Sequence, residues 1–242
     1  MSGHSKWANI KHRKEKSDSK KGKVFTKIGR EIAVVVKQGG PDPESNGKLR
    51  DAIAKAKAEN MPNDSIMRSI KKAAGDADNA NYEEITYEGY GPGGVAVVVE
   101  AMTENRNRTA GDVRHLFDKF GGNMGTTGCV SFLFSRKGVM IVLKELKPDA
   151  DTVMLEALDA GAEDIVEYDE AYEITTAPDS FSSVRESLER LGYKFESADI
   201  EMIPMTTVSL TDEKHAASME KLIDNLEDHD DVQNVFHNFI IE

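Results

Sequence analysis

The chain has 242 residues, 39% of them apolar and 31% charged, with a formal net charge of -12 and one cysteine. That length supports two or three domains, and the single Cys129 excludes a disulfide framework or a zinc site built on several cysteines. A reducing, cytoplasmic location is expected, no segment approaches the roughly 20 apolar residues of a membrane helix, and no apolar stretch follows the basic N-terminus as in a signal peptide.

The charge is unevenly spread. Residues 1–75 carry 18 Lys and Arg against 8 Asp and Glu, a net +10, whereas the remainder carries 13 against 35, a net -22. A concentrated positive field attracts polyanions, so this asymmetry points to nucleic acid as a partner. Residues 1–30 hold ten Lys and Arg against only Glu15 and Asp18, with Trp7 and His12 among them. The run reads as a phosphate-seeking arm in which Lys6, Lys11, Arg13, Lys14, Lys20 and Lys21 neutralise phosphates and Trp7 stacks on an unpaired base. The competing reading is a solvated tract with Trp7 packed on the helices that follow.

From Lys23 the period becomes helical. Val24, Phe25, Ile28, Ile32, Val35 and Val36 share one face, and Lys23, Lys27, Arg30 and Lys37 the opposite one, up to a stop at Gly39-Gly40-Pro41. This cationic face continues the charge of the arm, so Lys23, Lys27 and Arg30 join the expected phosphate contacts. A second helix is predicted over 47–59 with Leu49, Ala52, Ile53 and Ala56 inward. A third follows Pro62, capped by Asn63 or Asp64, and runs to Gly75. The Gly, Asp, Ala and Asn of residues 75–81 read as a linker.

Beyond the linker the period approaches 2. Strands are predicted over 85–90 and 95–102 around GYGPGG, then a helix over 109–120 capped by Thr109, then an alternating strand over 129–134. Residues 139–202 follow the order β-α-β-β-α-β of a ferredoxin-like unit. A strand at 207–210, a helix over 212–226 and a strand over 232–241 complete the chain. The fold class expected is α+β with three domains: a basic helical domain at 1–78, an α/β domain split between 79–134 and 206–242, and a ferredoxin-like α/β domain inserted at 135–205.

Several chemical motifs fail on context. GYGPGG fits G-x-G-x-x-G, but a run of valines follows it where a pyrophosphate site needs a helix start, so it reads as a turn. The six histidines form no metal-ligand spacing, no hydrolase triad is visible, and Cys129 reads as a small hydrophobe. The acidic runs at 163–173 and 224–231 lack the pattern of a calcium loop and read as solvated faces. NRNRT at 105–109 is different. Arg106 and Arg108 beside helix amides make an anion site plausible, with pairing to nearby acidic loops as the equal alternative.

GHSKWANIKHRK, TKIGREI, NGKLRDAIAKAKAENMP, YEGYGPGGVA, TENRNRT and FGGNMG together resemble the YebC/PmpR family, which includes the mitochondrial translational activator of cytochrome c oxidase I. The resemblance implies an N-terminal helical domain, two α/β domains and no enzymatic activity. It also carries Lys6, Trp7, Lys11, His12, Arg13, Lys14, Arg106 and Arg108 over as nucleic-acid contacts. Cys129 stands where the family usually has serine, and Asn63-Asp64-Ser65 where lysine and asparagine are more usual. Because the sequence starts at the family motif, a bacterial cytoplasmic member is expected over an organellar one.

The function expected is a nucleic-acid-binding regulator of gene expression, described for the family as a DNA-binding transcriptional regulator. The alternative is a ribosome-associated translation factor that relieves stalling at proline-rich sequences. A third class is a protein-interaction scaffold built on the acidic α/β domains. No metal, cofactor, small-molecule substrate or membrane is implied.

Overall fold

The structure, a computed structural model, describes residue 7, residues 21–75, 81–147 and 149–240. Helices α1 (Lys21–Gly39), α2 (Gly47–Ala58) and α3 (Asn63–Ala74) come first. Ile28, Ile32, Val35 and Val36 of α1 close on Leu49, Ala52 and Ala56 of α2 and on Ile66, Ile70 and Ala73 of α3, the stripes that helical periodicity predicts. Asn46 turns the chain between the first two helices. Its Oδ1 caps α2 by accepting from the Leu49 amide at 3.1 Å, and its Nδ2 donates to the carbonyls of Val35 and Gly40 at 2.9 and 2.8 Å.

The next elements are β1 (Glu83–Tyr90), β2 (Ala96–Thr103), α4 (Arg106–Lys119), β3 (Asn123–Met124) and β4 (Phe134–Leu143). They are followed by α5 (Ala150–Ala160), β5 (Asp164–Glu167), β6 (Ala171–Thr176), α6 (Phe181–Arg190) and β7 (Ser197–Pro204). The chain closes with β8 (Val208–Ser209), α7 (Glu213–Asp228), β9 (Val232–His237) and β10 (Phe239–Ile240). Mixed helix and sheet therefore follow a helical N-terminal region.

The strands form two antiparallel four-stranded sheets, β3-β1-β2-β9 and β5-β6-β4-β7, while β8 and β10 make a short parallel pair. The spatial order is the same in both sheets once β2, β3, β1 and β9 are read in the places of β4, β5, β6 and β7. In each, helices cover one face. Val97, Val99 and Ala101 of β2 meet Val113 and Phe117 of α4 and Met219, Leu222 and Leu226 of α7. Met140, Val142, Tyr172 and Ile174 meet Val153, Ala157, Phe181, Val184 and Leu188 of α5 and α6.

GYGPGG forms the tight turn between β1 and β2, with Gly93 and Gly94 at φ 70° and 80°, backbone that glycine adopts without strain. Gly89 has a separate reason. A Cβ there would collide with the Asn123 carbonyl of the neighbouring β3.

Two local expectations are corrected. Residues 129–133 are not a strand but a bend and a short 3-10 turn, and β4 begins only at Phe134. The buried Glu88 carboxylate accepts from the amides of Gly128, Val130 and Ser131 at 2.8, 2.9 and 2.8 Å, so those amides have no capacity for a strand ladder. Burial alone would push the Glu88 carboxyl up, but the three amides outweigh it and hold it below its ordinary range. The cap of α4 is Asn105, which accepts from the Arg108 amide, and Thr109 lies a turn inside the helix. Among the described residues no helix is long and apolar enough to cross a membrane.

Candidate nucleic-acid interface

Three cations of α1 turn toward the end of a distant helix. Lys23, Lys27 and Arg30 lie at i, i+4 and i+7, one stripe of a helix, and that stripe abuts the end of α7. Lys23 Nζ donates to the Asp228 carbonyl at 3.1 Å, Lys27 Nζ to the Glu227 carbonyl at 2.7 Å and Arg30 Nη1 to the Asp230 carbonyl at 2.6 Å. The last carbonyls of a helix lack intrahelical donors and carry the negative end of its dipole. Helix α7 has no basic residue in its own last turn, so α1 supplies the cations from about 200 residues away in sequence.

Beside this junction Asp231 gathers the remaining groups. Its Oδ1 accepts from Arg30 Nη1 at 2.7 Å, and its Oδ2 accepts from Thr109 Oγ1 at 2.7 Å, Thr103 Oγ1 at 3.2 Å and Arg108 Nη2 at 3.4 Å. Only 3% of Asp231 is exposed. Burial would raise its pKa, but the Thr109 hydroxyl and the Arg30 guanidinium outweigh burial and hold it below the ordinary carboxylate range. The reading of residues 224–231 as a solvated acidic face is therefore corrected at Asp231. For Arg108 the acidic-partner alternative is the one observed, although its side chain remains mostly exposed. Arg106 is exposed, and its carbonyl accepts from Tyr87 Oη at 3.4 Å.

Trp7 is buried, at 9% exposure, and packs on Val139, Ile141 and Ala171, with Leu143, Tyr168 and Ile203 around it. These residues alternate with the helix-facing Met140, Val142 and Tyr172, so the indole covers the face of the β5-β6-β4-β7 sheet that α5 and α6 leave open. Its backbone amide donates to Glu173 Oε2 at 3.5 Å. In this arrangement the indole packs on protein and not on an unpaired base. The packed alternative was also misplaced: the partner is the second sheet, not the helical domain.

Lys6, Lys11, His12, Arg13, Lys14 and Lys20 lie outside the described residues, and Lys21 is described only as the first residue of α1. What periodicity did not single out is the outer side of α3. Ile66, Ile70 and Ala73 face the core, whereas Met67, Arg68, Lys71 and Lys72 are exposed, with no acidic residue between Ser65 and Ala74. Lys71 and Lys72 complement the helix dipole, and Arg68 extends their charge by one turn. Lys48 and Lys57 of α2 are also exposed. The signal was present in RSIKK, whose cations fall opposite the apolar stripe.

Two family patterns match this chain: "TACO1/YebC protein N-terminal domain" over residues 5–76 and "TACO1/YebC second and third domain" over residues 82–239. The chain belongs to the TACO1/YebC family. A relative from Acetivibrio thermocellus is 69% identical over 239 residues, which cover 99% of each chain, and one from Caldicellulosiruptor saccharolyticus is 64% identical over 99% of this chain and 98% of its own. Both bear the name "Probable transcriptional regulatory protein". The crystal structure of a conserved hypothetical protein from Aquifex aeolicus superposes with a TM-score of 0.87 at 48% identity, covering 98% of each chain. Members of the TACO1/YebC family are thus named as regulators, and their fold is shared along the chain.

Proposed function

We propose that this TACO1/YebC protein is a nucleic-acid-binding regulator of gene expression, of the DNA-binding transcriptional kind, acting by binding rather than by catalysis. The observation that carries the reading is the segregation of charge. A +10 N-terminal part adjoins a -22 remainder, and the exposed Arg68, Lys71 and Lys72 of α3 face away from the core. Lys23, Lys27 and Arg30 are engaged by the end of α7 instead, so the phosphate contacts are assigned to α3 and to the basic residues of 6–20. Arg108, whose exposed side chain reaches Asp231, and the exposed Arg106 serve as flanking contacts. Such a surface binds backbone phosphates and fixes orientation without reading bases. With Trp7 buried, the argument for single-stranded bases loses its stacking group, and duplex DNA becomes the favoured ligand.

Fluorescence anisotropy with a labelled duplex across a salt series tests this. Binding weakens with salt, and Arg68→Ala/Lys71→Ala/Lys72→Ala lowers the slope of log K against log salt by about 0.9 for each contact removed. An unchanged affinity in that variant and in Lys11→Ala/Arg13→Ala/Lys14→Ala, or insensitivity to salt, sinks the proposal. Co-sedimentation with ribosomes that these variants abolish, with no duplex binding, would move the same surface to the translation role.

A further inference from the structure

Helix α5 has a second apolar side. Val153 and Ala157 are fully buried against the sheet, while Met154, Leu155 and Leu158 point away from it at 46%, 65% and 50% exposure. A helix packed on one face normally turns polar residues to water, and exposed apolar side chains that cluster mark interaction surfaces. Leu146 and Leu191 are also about half exposed. Lys147 links Leu191 to α5, donating to the Leu191 carbonyl at 3.3 Å and lying 3.8 Å from Glu156.

Charge decides what this surface accepts. Residues 148–184 contain eleven Asp and Glu and no Lys, Arg or His. Asp151 and Asp159, both exposed, lie one turn before and one turn after Leu155. A two-fold contact with a second copy would set this acidic rim against itself, and nucleic acid or an anionic lipid surface is repelled for the same reason. A segment that carries leucine-like side chains on one side and cations on its flanks is complementary on both counts.

We propose that α5 is the docking face for a cationic amphipathic helix of a partner protein. The partner lays its apolar side on Met154, Leu155 and Leu158 and sets its lysines or arginines against Asp151 and Asp159. The face belongs to the acidic part of the chain, distinct from the basic surface assigned to nucleic acid, so one molecule holds both partners together.

The probe is a fluorescein-labelled amphipathic peptide of leucine and lysine, about 14 residues long to give four helical turns, titrated with the full chain. It binds, and binding weakens with salt. Leu155→Asp/Leu158→Asp weakens it at least about tenfold with unchanged far-UV circular dichroism. Asp151→Lys/Asp159→Lys also weakens it while leaving the apolar side intact. Equal binding by these variants, or equal binding of a leucine and glutamate peptide, overturns the proposal. So does a wild-type dimer in sedimentation velocity that Leu155→Asp/Leu158→Asp dissolves, which makes a second copy the occupant. Vesicles of phosphatidylcholine and phosphatidylglycerol bound by wild type and lost in that variant overturn it in favour of a membrane.

Discussion

Where the helical region meets the first sheet, α1 delivers Arg30 to one buried carboxylate, Asp231, and Lys23 and Lys27 to one helix end. Where it meets the second sheet, α2 spreads its charges: Arg50 pairs with Glu186 at 2.8 Å, Asp51 with Arg185 at 3.0 Å and with Ser182, and Lys55 with Asp199 at 3.0 Å and Glu31 at 3.3 Å. The two carboxylates at these seams are held differently. Asp231 sits below its ordinary pKa, whereas burial raises Asp51 despite the Ser182 hydroxyl and Arg185. Burial alone would lower the Lys55 ammonium, but Asp199 and Glu31 hold it well above its ordinary value. One seam is concentrated in a single group that four side chains share. The other is divided among pairs, and the loss of any one leaves the others in place.

Asp231→Ala is expected to have the largest effect, because it strands the Arg30 guanidinium and two buried hydroxyls at once. Loss of one member of a buried charged cluster costs about 3–5 kcal/mol, read from chemical denaturation. Asp51→Ala is expected to cost less, about 1–3 kcal/mol, since Arg185 keeps Glu186 and Glu189 within 3.9 and 3.3 Å. If the two variants lose the same amount, the contrast between a concentrated and a divided seam is wrong.

Acid sharpens the contrast further. The stability contributed by Asp231 is present above its unfolded pKa of about 3.9 and is lost as pH falls through its lower folded value. Asp51 has the opposite sign: its folded form holds the proton more tightly, so protonation relieves a cost as pH falls through its raised value. Asp231→Asn therefore flattens the loss of denaturation midpoint below about pH 4, while Asp51→Asn removes a compensating gain that lies above about pH 4. Parallel profiles for the two variants would show that the seams titrate alike. Lys23→Ala is expected to have the smallest effect, within about 0.5 kcal/mol of wild type, because its ammonium is exposed and donates to one carbonyl.

Sequence periodicity located the three helices because their cores form among neighbours: Ile32, Leu49 and Ile70 meet within one short stretch of chain. It located the two faces of α1 equally well, but not what the cationic face does. Lys27 finds its acceptor at Glu227, and Trp7 finds its sheet around Glu173. No local pattern encodes a partner so distant. The alternation from Cys129 to Phe134 misled for a related reason, since a carboxylate from β1 takes the amides that a strand would have used. Asn105 and Thr109 are both residues that cap helices, and the choice between them follows from Asp231, which draws Thr109 into the interior.

Trp7 is the only tryptophan in the chain, and it lies against a sheet whose nearest sequence neighbour in contact with it, Val139, is more than a hundred residues away. Selective excitation of indole therefore reports from one place alone. The protein carries its own optical gauge: a shift of emission to longer wavelength would register, without any label, the moment Trp7 leaves the second sheet.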